Sequence, residues 1–203
     1  MIIKQLLVGG WDVFCYIIAC PKSKEALVLD PSSEVQRIIA SAMEESLSIK
    51  YIFNSHRHQD HTAGNRQLQQ LTGASLAMHI LDSADYPDAD ILFEKETQFP
   101  LGSLTIDILH TPGHTPGGIC LHCEKNLFTG DTLFVGDSGR TDLPGGDRPT
   151  LGASIRRLMQ LPDETVVWPG HDYGPTRQST IGWEKKHNVN AKEYGFFAPT
   201  KPE

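Results

Sequence analysis

Seven residues of this chain carry side chains suited to holding divalent metal ions, and their spacing sorts them into groups. Ser55-His-Arg-His-Gln-Asp-His61 supplies His56, His58, Asp60 and His61 in one short stretch, and His114, Asp131 and His171 follow singly. If residues 56–58 are extended, side chains two apart fall on the same side, so His56 and His58 can grip one ion. Asp60 and His61 lie out of phase with them and can turn toward a second ion, with Asp131 the candidate carboxylate between the two. Imidazole with carboxylate suits zinc, iron or manganese, and the near absence of thiolate argues against a structural zinc site. The chemistry offered is activation of water. With Asp60 and Asp131 ionised, two divalent ions keep a formal charge of about +2, enough to bring the pKa of a shared water toward neutrality.

The remaining histidines and the cysteines read as ordinary. His79, His122 and His187 are expected to be packed or solvated, and His110, four residues before His114, is expected to pack or to support a ligand. Cys15, Cys20, Cys120 and Cys123 are too few for a disulfide scaffold, so reduced thiols are expected. Cys120 and Cys123 form a CxxC, but inside an alternating strand-like run and without a second pair, which favours a packing role.

Positioning these residues requires rigid elements. Apolar runs predict strands over 2–8, 14–19, 26–29, 50–54 and 75–78, then over 104–109, 118–123, 126–128 and 165–168. The run at 26–29 ends at the turn signal Asp30-Pro31. Helical spacing predicts helices over 34–45 with Ser33 as cap, over 63–71 stopped by Gly73, and over 151–161 ended by Pro162. Four short strands each run into a turn that presents His or Asp: at His56, His114, Asp131 and His171. Loops at the carboxyl ends of strands are where ligand sites form in α/β folds, so the shared placement argues for one common site. Strand-rich runs in both halves predict an α/β architecture of two sheets face to face with helices outside.

At 203 residues the chain fits a single domain, 1–203, with a proline-rich tail from about residue 198 expected to be loosely held. A formal charge of −7 argues against nucleic-acid partners, and 39% hydrophobic with 21% charged residues is ordinary for a globular protein. Gly9, Gly10 and Asp12 interrupt the apolar start and no stretch reaches a membrane span, so neither a signal peptide nor a membrane partner is expected and the location expected is the cytoplasm. The oligomeric state is not legible.

His56-Arg-His-Gln-Asp-His61 resembles the HxHxDH signature of the metallo-β-lactamase superfamily, and His114, Asp131 and His171 appear in that family's order. The resemblance covers nearly the whole chain. It implies a four-layer αββα sandwich with a dinuclear site at one edge: His56, His58 and His114 on one metal, Asp60, His61 and His171 on the other, Asp131 bridging, and zinc, iron or a mixed pair as the ions. Thr111-Pro-Gly-His-Thr-Pro-Gly117, Phe128-Thr-Gly-Asp-Thr-Leu-Phe134 and His171-Asp-Tyr173 resemble the glyoxalase II and persulfide dioxygenase branch, and Gly139-Arg-Thr-Asp142 is similar to a motif of persulfide dioxygenases and small glyoxalase II-like hydrolases. By that resemblance Tyr173 and Arg140 touch the glutathione part of a substrate. About thirty residues follow His171, too few for the helical C-terminal domain of full-length glyoxalase II, so another thiol carrier such as coenzyme A stays open.

The activity implied is hydrolysis of a thioester by a metal-bound hydroxide, with Asp60 accepting the proton of the water. The rival is a persulfide dioxygenase holding a single iron on the positions of His56, His114 and Asp131, a two-His-one-carboxylate set. Thr62-Ala-Gly-Asn65 and the short C-terminus lean toward the hydrolases. A non-enzymatic metal-binding module is the third alternative, disfavoured because seven ligands shared by two ions leave water positions open.

Overall fold

A computed structural model of the protein describes residues 1–195. The tail expected to be loose, from about residue 198, lies outside the described residues. In the first half, β1 (Ile2–Val8), β2 (Val13–Ala19), β3 (Glu25–Leu29), β4 (Ser48–Phe53), β5 (Ser75–His79) and β6 (Ile91–Phe93) form one sheet in sequence order. Its first three strands are antiparallel and β3 to β6 run parallel. The second sheet holds β7 (Thr97–Leu101), β8 (Leu104–His110), β9 (Ile119–Cys123), β10 (Asn126–Gly130), β11 (Val166–Pro169) and β12 (Ser179–Thr180), with only β10 and β11 parallel. The helices are α1 (Val35–Glu44), α2 (Gln59–Thr62), α3 (Asn65–Thr72), α4 (Arg148–Leu158), α5 (Ile181–His187) and α6 (Ala191–Tyr194).

Alternation along the strands builds the layers. Phe14, Tyr16 and Ile18 of β2 join Leu27, Leu29, Phe53, Ile106, Ile108, Leu121 and Phe128 in a core between the sheets. Val13, Cys15, Ile17 and Ala19 point the other way, onto Val35, Ile38 and Ala42 of α1 and Leu68 of α3. The outer face of the second sheet, through Cys120, Leu127 and Val167, packs on Leu151, Ile155 and Leu158 of α4 and Ile181 of α5. Helix, sheet, sheet and helix follow in that order, the αββα sandwich. Each sheet buries both faces, which is why β2 reads as a continuous apolar run. Cys120 lies in the outer core and Cys123 in the inter-sheet core, so the CxxC side chains leave opposite faces of β9 and cannot share a ligand.

The expected Ser33 cap on α1 is not formed. Glu34 takes that position with φ 55°, and its carboxylate accepts from Gly9 N at 3.1 Å and from Arg37 at 3.0 Å. Entry to α1 is fixed by tertiary contacts, among them Gly64 N–H to Pro31 C=O at 2.7 Å, rather than by a local hydroxyl. Helix α4 starts three residues earlier than the spacing predicts, because Asp147 caps it by accepting from Thr150 N and Pro149 sits in its first turn, where no amide is needed.

Candidate metal centre

The site forms where the two sheets meet at the carboxyl ends of β4, β10 and β11. Ile119 N–H donates to Ser55 C=O and Gly170 N–H to Gly130 C=O, both at 2.8 Å, so the turns after those strands are stitched together. Gly130, at φ 46°, lies so close to Ser55 that a Cβ would meet its Oγ at 2.4 Å, and a Cβ on Gly170 would meet Asp131 Oδ1 at 2.4 Å. Glycine at both positions lets the Asp131 and His171 turns close on the His56 turn. His58 has extended backbone and precedes α2, whose single turn re-aims Asp60 and His61.

All seven predicted residues converge. His58 Nδ1 and His114 Nε2 are 2.9 Å apart, and His61 Nε2 and His171 Nε2 are 3.0 Å apart. Asp131 lies between these pairs: its Oδ2 is 3.5 Å from His114 Nε2 and 3.4 Å from His171 Nε2, and its Oδ1 is 3.3 Å from His61 Nε2. Asp60 Oδ2 is 3.5 Å from His171 Nε2. Three sets, His56/His58/His114, His56/His61/Asp131 and Asp60/His61/His171, each bring their donor atoms within 4.8 Å of one another, as a metal ion requires.

Outer contacts fix which nitrogen faces inward. Asp30 Oδ2 is 3.0 Å from His61 Nδ1, and a carboxylate can only accept, so Nδ1 of His61 carries a proton and Nε2 is the nitrogen turned inward. Ser55 Oγ donates to the same Oδ2 at 2.7 Å and contacts His56 Nδ1 at 3.0 Å. His114 Nδ1 donates to Arg140 C=O and His171 Nδ1 to Trp11 C=O, both at 2.7 Å. Such partners are what orient metal-ligating histidines. Two inward atoms, His56 Nε2 and Asp131 Oδ1, are buried with no hydrogen-bond partner. An orphaned buried polar atom is costly, and a cation between these groups satisfies both, so the residues fit a metal.

The electrostatics set the proton balance of the site, and a metal ion taken up at Nε2 of His61 displaces a proton. Burial, with His61 nearby, pushes His56 well below its ordinary pKa. Burial also works against a charged His61, but Asp131 and Asp30 outweigh it and raise its pKa to about 9. Burial alone would lift Asp131, yet His61 and the hydrogen bond from His171 hold its carboxyl well below the usual range, so it is anionic.

The centre opens into a cleft of about 910 Å³. Tyr173 and Arg140 both line it. The Tyr173 ring stacks on His171, with centroids 4.4 Å apart, and its hydroxyl donates to Trp11 C=O at 3.2 Å. The Arg140 guanidinium makes two 2.6 Å bonds to Asp142. His110 contacts Pro116 C=O at 2.9 Å, bracing the turn that carries His114, and its ring stacks on His79 at 4.1 Å. His122 sits by Asp107 and His187 by Trp183, away from the centre.

Three contributors escape sequence reading. Asp30 follows an apolar strand as the ligand-bearing turns do, a signal masked by the Asp-Pro turn reading. Asp82 is buried and accepts from Arg57 N at 3.1 Å, Thr115 Oγ1 at 2.7 Å and Gly117 N at 2.8 Å, tying the His56 turn to the His114 turn. Trp11 acts through a backbone carbonyl, which leaves no trace in residue type.

A family model described as the metallo-beta-lactamase superfamily matches residues 8–171. The chain belongs to the metallo-beta-lactamase superfamily. Among superfamily members, a hydroxyacylglutathione hydrolase of Polaromonas sp. is 37% identical over 179 residues, 85% of this chain and 67% of that protein. The hydroxyacylglutathione hydrolase GloC of Haemophilus influenzae is 36% identical over 83% of this chain and 89% of its own length. The crystal structure of ETHE1 from Myxococcus xanthus superposes with a TM-score of 0.89 at 31% identity, covering 97% of this chain and 88% of that one. These likenesses place the protein in the expected glyoxalase II-like and persulfide dioxygenase branch of the superfamily. Among the described residues, no helix is long and apolar enough to cross a membrane.

Proposed function

We propose that this protein is a glyoxalase II-like hydrolase of acyl thioesters, acting on a glutathione-type carrier through two metal ions. The observation that carries the reading is the position of Asp131, one carboxylate within 3.5 Å of both His114 Nε2 and His171 Nε2. It separates a His56/His58/His114 set from an Asp60/His61/His171 set, and relatives named hydroxyacylglutathione hydrolase support the substrate class. Divalent ions held there, zinc by the donor chemistry, supply Lewis acidity and a hydroxide nucleophile near neutral pH. Asp131 and Asp60 contribute the negative charge that retains the ions. Asp60, with 27% of its side chain exposed toward the cleft, is placed to take the proton of the attacking water. In the overall reaction the water oxygen bonds to the acyl carbon, the C–S bond breaks and its electrons leave on sulfur. A thiol pKa of roughly 8.5 makes that thiolate a good leaving group without a strong general acid. Arg140, beside Ser138 on the cleft wall, offers polar contacts to the carrier. A cleft of this volume adjoining the centre argues for an enzyme over a closed structural site. The four free, buried cysteines suit a reducing compartment such as the cytoplasm.

Purified protein should hydrolyse S-lactoylglutathione or another acyl-glutathione with two metal ions per chain. The rival reading, supported by the likeness to ETHE1, is a persulfide dioxygenase with iron on His56, His114 and Asp131. Oxygen consumption with glutathione persulfide at one iron per chain would establish the rival and overturn the hydrolase.

A further inference from the structure

Resting on the thioester reading, we propose that Asn190 is a positioning residue for recognition of the thiol carrier: the segment after α5 sets the cleft wall that presents Ser138 and Arg140.

The wall is the loop after β10, from which Phe134, Asp137, Ser138 and Arg140 line the cleft. Its local support is Phe134 N–H to Asp137 C=O at 2.9 Å and a bridge between Leu133 and Ser138. Further support comes from residues far along the chain. The Glu184 carboxylate of α5 accepts from Gly136 N at 3.0 Å, and Gly136 C=O accepts from Val189 N at 3.0 Å. Asn188 Nδ2 donates to Asp137 C=O at 3.0 Å. Asn190 Nδ2 donates to Asp137 Oδ1 at 2.7 Å and to Ser138 Oγ at 3.1 Å, while its Oδ1 accepts from Arg148 at 3.1 Å. Both directions of the Asn190 amino group therefore end on residues that border the cleft.

Burial in this segment runs against residue type. Asn188 and Asn190 are 4% and 9% exposed, and Val189 between them is 74% exposed. A stretch held for apolar packing buries the valine and leaves the amides in water. Here the amides are buried, which is costly unless they are hydrogen-bonded, and the cleft wall supplies their partners. At its far end the wall meets the metal centre: Gly139 lies so close to Asp131 that a Cβ would overlap its carbonyl oxygen, and Arg140 C=O accepts from His114 Nδ1 at 2.7 Å. The centre thus anchors one end of the wall, and Asn190 fixes the other, where Ser138 Oγ and the Arg140 side chain face the carrier.

The test uses two esters with the same acyl group and different carriers, S-lactoylglutathione and S-lactoyl-N-acetylcysteamine, on the metal-loaded protein. Asn190→Ala removes the donors to Asp137 and Ser138. Asn190→Asp keeps the size and the acceptor for Arg148 but sets a carboxylate against Asp137. Each variant should raise KM for the glutathione ester by about 10-fold, with kcat and the kcat/KM of the N-acetylcysteamine ester within about 2-fold of wild type. Metal content should equal that of wild type. Equal losses on both esters, a fall in kcat with KM unmoved, unchanged kinetics, or failure of both variants to fold would overturn the assignment while leaving the thioester reading intact. Failure of wild type to hydrolyse either ester would overturn both.

Discussion

Asp30 lies 3.0 Å from Nδ1 of His61 and is fully enclosed with it, although the two are 31 residues apart and belong to different turns. The same carboxylate takes Ser55 N on Oδ1 and Ser55 Oγ on Oδ2, both at 2.7 Å. Three donors thus meet two oxygens, and through Ser55 the contact reaches His56 as well.

Asp30→Asn tests that arrangement. Asparagine tolerates the left-handed backbone at φ 55° but replaces one acceptor oxygen with an NH2 group, which must then face a donor. Metal affinity should fall by about 10- to 100-fold, the range for loss of a ligand-orienting partner. Chelator competition titration reads the change, and unchanged affinity would show that Asp30 orients nothing.

Asp82 should matter to stability and not to metal chemistry. Replacing it with Ala strands Arg57 N, Gly117 N and the Thr115 hydroxyl, at a cost of about 2–4 kcal/mol. Urea unfolding of the metal-loaded protein measures it, and a loss under about 1 kcal/mol would mean that water replaces the carboxylate without penalty.

Much of this was legible in the sequence, for identifiable reasons. The seven converging residues sit in turns that follow short apolar strand runs, so pattern and chemistry pointed to the same turns. The strands that went unread are those too short or too compromised to show a period. β6 and β12 have three and two residues, and β7 contains Pro100, tolerated because β7 is an edge strand. Helix α2 is one turn hidden inside the metal motif, so the stretch 59–62 reads as ligands before it reads as helix. The supporting shell was least legible, since Asp82 and the carbonyls of Trp11 and Arg140 are chosen by tertiary position.

His79 gives a pH dependence. Its ring is buried against His110, and burial with that neighbour lowers its pKa to about 4 from an ordinary 6.5. Above pH 6.5 both folded and unfolded states hold it neutral. Between pH 6.5 and about 4 the unfolded chain takes a proton that the native state refuses, so stability falls with pH by up to about 1.4 kcal/mol per unit. His79→Asn keeps an acceptor for Leu81 N–H and should flatten that loss by one proton's worth, read as Tm against pH. An identical pH profile would contradict the assignment.

Arg140 separates its backbone from its side chain. Arg140→Ala keeps the carbonyl that accepts from His114, so metal content should hold, while KM for an acyl-glutathione should rise several-fold with kcat little changed. A fall in kcat with KM unmoved would place the side chain in the chemistry and not in carrier binding.

The central claim is that two ions, one on each side of Asp131, serve thioester hydrolysis. Titrating metal-free protein with Zn²⁺ while following S-lactoylglutathione hydrolysis tests it most directly. Activity should rise to a plateau at two equivalents per chain, and the same titration of Asp131→Ala should give neither tight binding nor turnover. Full activity at one equivalent, or undiminished activity and metal content in Asp131→Ala, would contradict the account.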